Sequence, residues 1–344
     1  MRTFRMLALG ASVLVLASAC ATGGGSPSPV GGATGSPGGP AGSPGTATGS
    51  PAAGSPATGS PATTTAVRVG SAGFGESALV AEIYAQVLEA NGFDVTRQLQ
   101  IGPRPQTFPA LTGGQIDLMP EYTGSLLEYI NEGAGEATFE AEATYTRLQE
   151  RLAEQELTVL GYTPAEDNNA FVVRPETAEE FGLETMSDLA AVQGELTWGL
   201  PPECETNPLC GGALIDAYGI DFDEIAIVEL GACGGEIATA LSTAGEGAVD
   251  IGQLCSTQGD IARFNLVVLE DDQNTQPAEN LAPVVRDAWL AEAGGAQALA
   301  AILDPVSSAI TTEELIRLNE RVSVDQEDFD VVASEWLTEN DLLP

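Results

Sequence analysis

From Ala21 to Thr65 the chain is built from Gly, Ser, Pro, Ala and Thr, with Val30 the sole exception, and Gly-Ser-Pro recurs from positions 25, 35, 42, 49, 54 and 59. A stretch without charge, aromatic rings or apolar periodicity cannot bury a core. It confines folding to residues 66–344. As a Gly-rich coil it would reach about 35 to 40 Å, which suits a tether.

What precedes it gives the tether an end. Arg2 and Arg5 make a cationic start, Met6 to Leu16 form an apolar run too short to span a bilayer, and Ala17-Ser18-Ala19 offer a small-residue cleavage site. Residues 1–20 therefore read as an export signal, with Cys20 the acceptor of a lipid and the mature protein held outside the cytoplasm on the cell membrane. In the usual lipoprotein pattern Leu stands three residues before the Cys; here Ala17 does, with Leu16 one further back. The competing reading is a plain secretory signal cut near the same place.

The chain has 12 basic residues against 50 acidic ones, and no His. All 12 are Arg, and no carboxylate lies before residue 66, so the folding part is strongly anionic. Nucleic acid is a poor partner because nothing could neutralise phosphates over a patch. Such a surface suits high salt, where screening lengths fall to about 3 Å at 1 M and dense like charge is tolerated; it would also attract cations. Without His or Lys there is no Ser-His-Asp or Cys-His nucleophile, no imidazole metal site, no phosphate-loop lysine and no Schiff base. Only carboxylate catalysis survives, and no enzyme, cofactor or metal is expected.

Setting Cys20 aside, the cysteines are Cys204, Cys210, Cys233 and Cys255. In an exported chain an even set suggests two disulfides, with three pairings open. Cys204 and Cys210 flank a short loop; Cys233 and Cys255 follow two apolar runs that would end at the same edge of a parallel sheet. The favoured pairs are 204 with 210 and 233 with 255. A four-Cys zinc site lacks the short-pair spacing.

The folding part alternates strand and helix signals. Val67 to Val69, Val95 to Ile101 and Ile116 to Met119 read as strands, separated by a helical stripe at Leu79, Val80, Ile83, Tyr84, Val87 and Leu88 and a helical Phe108 to Leu111. The pattern restarts at Ala170 to Val173, Leu196 to Trp198, Ile225 to Leu230, Val249 to Leu254 and Leu266 to Leu269. Beyond Pro283 to Val285 the chain reads as helical, with a capping box at Thr311 and Glu314 and an apolar face at Phe329, Val332, Ala333, Trp336 and Leu337. Alternation predicts an α/β fold around parallel sheets, and the length exceeds one comfortable core, so two lobes are expected. Trp198, Trp289 and Trp336 are expected in the core.

The segment VRVGSAGFGESALVAEIYAQVLEANGFDVTRQLQIGPRPQTFPALTGGQIDLMPEYTGSLLEYI, residues 67 to 130, resembles the opening of osmoprotectant-type (glycine betaine, carnitine or choline) substrate-binding proteins of ABC importers. The resemblance runs on through FGLETMSDLA, LVVLEDD, LAPVVR and LNERV. It implies a two-lobed type II periplasmic-binding-protein fold. Lobe one would comprise residues 66–166 with 276–344 and lobe two residues 167–275, joined by two crossing strands. It implies capture of a small solute between the lobes and delivery to a permease, by a monomer that performs no reaction. The alternatives are a sensory or surface module that has kept the fold without transport, and an extracellular carboxylate-based hydrolase.

In that family a box of aromatic faces holds a quaternary ammonium and basic residues meet a carboxylate tail. Carried over by position, Tyr122 matches a box tyrosine, Ser125 a hydroxyl near the ligand and Asp167 a polar residue at the first crossover. Asn169, Cys255 and Glu279 or Asn280 stand where further aromatics belong. Ala72 replaces a lysine, and Thr206 and Asn207 lie near where an arginine belongs. Arg104 is then the nearest candidate for an anion contact, while Glu121 reads as structural. With one ring, one carboxylate and one amide expected, the pocket should favour a cationic or hydrogen-bonding head over a bare trimethylammonium, and glycine betaine should bind weakly.

Overall fold

The computed structural model of the chain describes residues 64–202, 204–231, 235–243, 245 and 248–343. Cys20, residues 21–63 of the tether and Cys233 lie outside the described residues. Two five-stranded sheets organise the rest. The first contains β1 (Ala66–Gly70), β2 (Asp94–Gln98), β3 (Leu118–Tyr122), β4 (Leu157–Val159) and, from far along the chain, β10 (Leu281–Arg286). The second contains β5 (Asn169–Val173), β6 (Thr197–Leu200), β7 (Ala226–Glu229), β8 (Ile251–Cys255) and β9 (Val267–Val268).

Their strand orders, β2-β1-β3-β10-β4 and β7-β6-β8-β5-β9, mirror one another. In each, three strands run parallel and a fourth returns antiparallel against the third: β10 on β3, and β5 on β8. This departs from the wholly parallel sheets expected. Apolar runs such as Ala170 to Val173 and Pro283 to Val285 mark a buried strand without marking its direction. Direction is set where the chain passes between the sheets. There Glu166 bridges Asn280 in antiparallel fashion, and the Asp167 backbone N–H donates to the Glu279 carbonyl at 3.1 Å.

Helix α1 (Gly75–Ala90) buries the predicted stripe: Leu79, Val80, Ile83, Tyr84, Val87 and Leu88 are at most 1 % exposed. Against it packs helix Phe329–Glu339 through Val332, Ala333, Trp336 and Leu337. All three tryptophans are buried, and the second sheet has its own cores around Trp198 and Leu241. Each large apolar side chain so buried contributes about 1.5 to 3 kcal/mol. The capping box at Thr311 is half made. Thr311 accepts the Glu314 N–H at 3.2 Å, but the Glu314 carboxylate takes the Trp336 indole N–H at 2.8 Å and pairs with Arg317. A buried indole donor needs that oxygen more than an exposed backbone N–H does.

Cys204 and Cys210 form a disulfide, with Cα atoms 5.0 Å apart. Cys255 is also disulfide-bonded; Cys233, its expected partner, is not among the described residues.

Candidate functional site

Two short helices start beside the crossing. β3 ends at Tyr122 with all five residues buried, and α3 (Thr123–Ile130) begins at once; α2 (Arg104–Thr112) lies before it in the chain. β10 begins opposite Tyr122, and Thr123 is fixed to the incoming strand through Asn280 and Ala278 carbonyls. Gly124 lets this happen: a Cβ there would stand 2.6 Å from the Ala278 carbonyl oxygen.

From Tyr122 a line of hydrogen bonds leads to the other sheet. The Tyr122 hydroxyl donates to Glu76 Oε1 at 2.5 Å, and Glu76 Oε2 accepts from Asn319 Nδ2 at 2.5 Å. The same amide donates to the Thr257 carbonyl at 2.8 Å, and the Thr257 hydroxyl donates to Asp167 Oδ1 at 2.8 Å. Glu76 sits in the first turn of α1, where the helix dipole favours an anion. The exposed ring of Phe74 lies 5.9 Å from that of Tyr122. Phe74, Glu76, Asp167, Cys255, Thr257 and Asn319 are among the walls of a cavity of about 370 Å³.

The electrostatics are set by burial among like charges. Burial, reinforced by Glu76, pushes Asp167 up to about 7 even though Thr257 donates to it. Burial also pushes Glu279 up to about 7, against the pull of Ser125 and Arg104. The Tyr122 phenol is raised by burial and by the Glu76 and Asp167 charges, so it stays a donor. Arg104 does not face the cavity as a free cation. It donates to Glu121 from Nε and Nη2, at 3.1 and 2.9 Å, and to Ser125 Oγ at 2.8 Å.

The structure thus joins Tyr122 to Asp167 and Arg104 to Ser125, but it parts Asn169 from Tyr122. Asn169 lines a second cavity of about 300 Å³ with Glu166, Asn168, Tyr218, Asp271 and Gln276, and donates to Gln276 Oε1 at 3.1 Å. Glu76 and Asn319 were missed by sequence reasoning, yet both left a signal. Glu76 extends the Leu79–Ile83–Val87 stripe by one turn, and Asn319 lies between Leu315 and Val322 on an apolar face. A carboxylate or amide on a buried stripe requires a partner. Among the described residues no cluster of acidic or Cys side chains is arranged to hold a metal ion, and no helix is long and apolar enough to cross a membrane.

Residues 65–339 match the family described as the substrate binding domain of an ABC-type glycine betaine transport system. The chain belongs to this family. It is 30% identical over 278 residues to the glycine betaine-binding protein YehZ of Escherichia coli, covering 79% of this chain and 89% of YehZ. It is 31% identical over 286 residues to a glycine-betaine-binding protein of Pseudomonas aeruginosa, covering 80% and 88%. The structure of apo YehZ superposes with a TM-score of 0.70 at 28% identity, over 82% of this chain and all of that one. A glycine betaine/carnitine/choline ABC transporter structure reaches 0.74 at 23% identity, over 82% and 100%, which speaks for the fold. The protein is accordingly a substrate-binding component of an ABC importer, acting outside the cytoplasm, and its family is one of solute receptors rather than enzymes.

Proposed function

We propose that the protein captures a small polar compatible solute of the glycine betaine/choline-like class at the cavity beside Tyr122, and delivers it to its permease. Lobe one would span residues 66–166 with 276–344 and lobe two residues 167–275, closing about the crossing at Glu166 and Asn280. The observation that carries this reading is the hydrogen-bonded line from Tyr122 through Glu76, Asn319 and Thr257 to Asp167. It ties groups near both sheets to one cavity, so a ligand there would feel, and bias, the lobes' relative position. In this reading Phe74 supplies the accessible ring face with Tyr122 packed beside it, Asp167 and Glu76 supply charge, and Arg104 fixes Ser125 in place.

Cys20 carries a lipid in this reading, and residues 21–65 let a monomeric receptor range near the membrane. Metabolic labelling would put a diacylglycerol on Cys20, and a Cys20→Ala protein that stayed membrane-bound would remove the anchor from the account. Calorimetry with choline, carnitine, glycine betaine and amine solutes tests the receptor itself. Tyr122→Ala is expected to weaken whichever solute binds by about tenfold, the scale of a lost buried contact; unchanged affinity would move the site elsewhere.

A further inference from the structure

Hydrogen-bonding capacity around the first cavity is lopsided. The hydroxyls of Tyr122 and Thr257 are spent on Glu76 and Asp167, and the Asn319 amide donates to both Glu76 and the Thr257 carbonyl. Gln258, another wall residue, donates its amide to Asp260 Oδ2 at 2.9 Å. What remains is acceptor capacity. The side-chain carbonyl oxygens of Asn319 and Gln258 are buried with no partner, and Asn319 is only 4 % exposed. A carboxylate offers about four lone-pair positions, and Asp167 receives Thr257 through its hydroxyl and its backbone N–H. One carboxylate oxygen of Glu279, on the crossing strand beside Asp167, also lacks a partner.

We infer that Asn319 and Gln258 are specificity-determining residues, which with Asp167 select a cation bearing N–H donors, an ammonium or guanidinium without a carboxylate tail. The inference rests on the receptor reading and refines its ligand. A buried acceptor is costly until a donor reaches it. An N–H cation supplies donors and charge together, whereas a trimethylammonium presents methyl groups and leaves each oxygen unpaired. Ring attraction does not make up the difference: Tyr122 is 7 % exposed, and Phe74 is the accessible face. A carboxylate tail would meet Glu76, Asp167 and Glu279, while the Arg104 guanidinium is held by Glu121 and Ser125.

Calorimetry on the full chain with matched probes decides it: ethanolamine against choline, which differ only in N–H versus N-methyl, agmatine as the guanidinium arm, and glycine betaine as the zwitterion. Ethanolamine or agmatine should bind about tenfold or more tightly than choline, and glycine betaine most weakly. Gln258→Leu should shrink that ratio several-fold by removing one acceptor, and Asn319→Leu should do the same where it folds. Choline binding as tightly as ethanolamine and agmatine, or a ratio untouched by Gln258→Leu, overturns the inference and leaves the receptor reading standing. Failure of every cation in the panel to bind overturns both.

Discussion

The two cavities flanking the crossing are of similar size and both carry polar side chains in their walls, yet they differ in what those groups still need. In the one lined by Asn169, Tyr218 and Gln276, side chains satisfy one another. Tyr218 donates to Asp271, Asn169 to Gln276, and Gln276 in turn to the Leu209 carbonyl at 2.9 Å, leaving the Asn168 carbonyl oxygen over. In the one lined by Glu76, Asp167 and Asn319, unspent acceptors gather around buried negative charge. A self-satisfied polar wall gains little from a ligand, while an acceptor-rich wall gains a great deal. Size alone would rank the two alike; the balance of donors and acceptors separates them.

The largest way to break that contrast is Asp167→Asn. It should weaken cation binding by about a hundredfold, in the range measured for truncating one partner of a buried charge pair, as read by calorimetry. Comparable binding by the variant would dissolve the distinction between the cavities. Next in size, removing the Cys204–Cys210 bridge by a double Cys→Ala change should cost about 2 kcal/mol of stability for so short a loop, seen in denaturant melts. The bridge lies beside Leu209, whose carbonyl holds Gln276 in the second cavity, so cation affinity should be spared; a parallel loss of affinity would couple the two sites.

A pH series sharpens the contrast further. Asp167 and Glu279 stand at about 7 in the folded protein, against roughly 4 for the unfolded carboxyls. The native state therefore holds more protons between those values, so the ligand-free protein should lose stability as pH rises from about 4 to 7. Cation affinity should move the other way, rising by about tenfold from pH 6 to pH 8 as a carboxylate titrating near 7 ionises. Asp167→Asn should flatten most of that slope, and a pH-independent affinity in the unaltered protein would rule out ionised Asp167 as the ligand's partner. Smallest of all, Asn169→Ala should change affinity by less than about threefold, a change typical of a residue outside the contact; a larger loss would bring the second cavity into the site.

Much of this is legible in the sequence. The α1 stripe, the buried tryptophans and the Cys204–Cys210 loop all followed from spacing and residue type, and the motif around Tyr122 carried the family. Three things are not. Antiparallel β5 and β10 look like any buried strand in one dimension. Asn169 and Asp167 are two apart, which suggests a shared face, but residues 167 and 168 belong to no strand, so pleat alternation does not carry across them. Glu76 and Asn319 each broke an apolar stripe, but their mutual bond spans 243 residues of chain. Periodicity can show that a buried polar group needs a partner; it cannot name a partner so remote.

That separation bears on when the receptor becomes competent. The cavity wall draws on Phe74 near the start of the folded region and on Asn319 and Ser323 close to its end. A chain emerging N-terminus first, from a ribosome or a secretion channel, has laid down Tyr122, Asp167 and Thr257 long before the residue that links them appears. With the solute held at this cavity as proposed, it would not assist folding of the early segments, because no partial chain holds the wall. Ligand-induced stabilisation should therefore appear all at once, within the last few dozen residues of release, and solute present during biogenesis acts only on finished molecules.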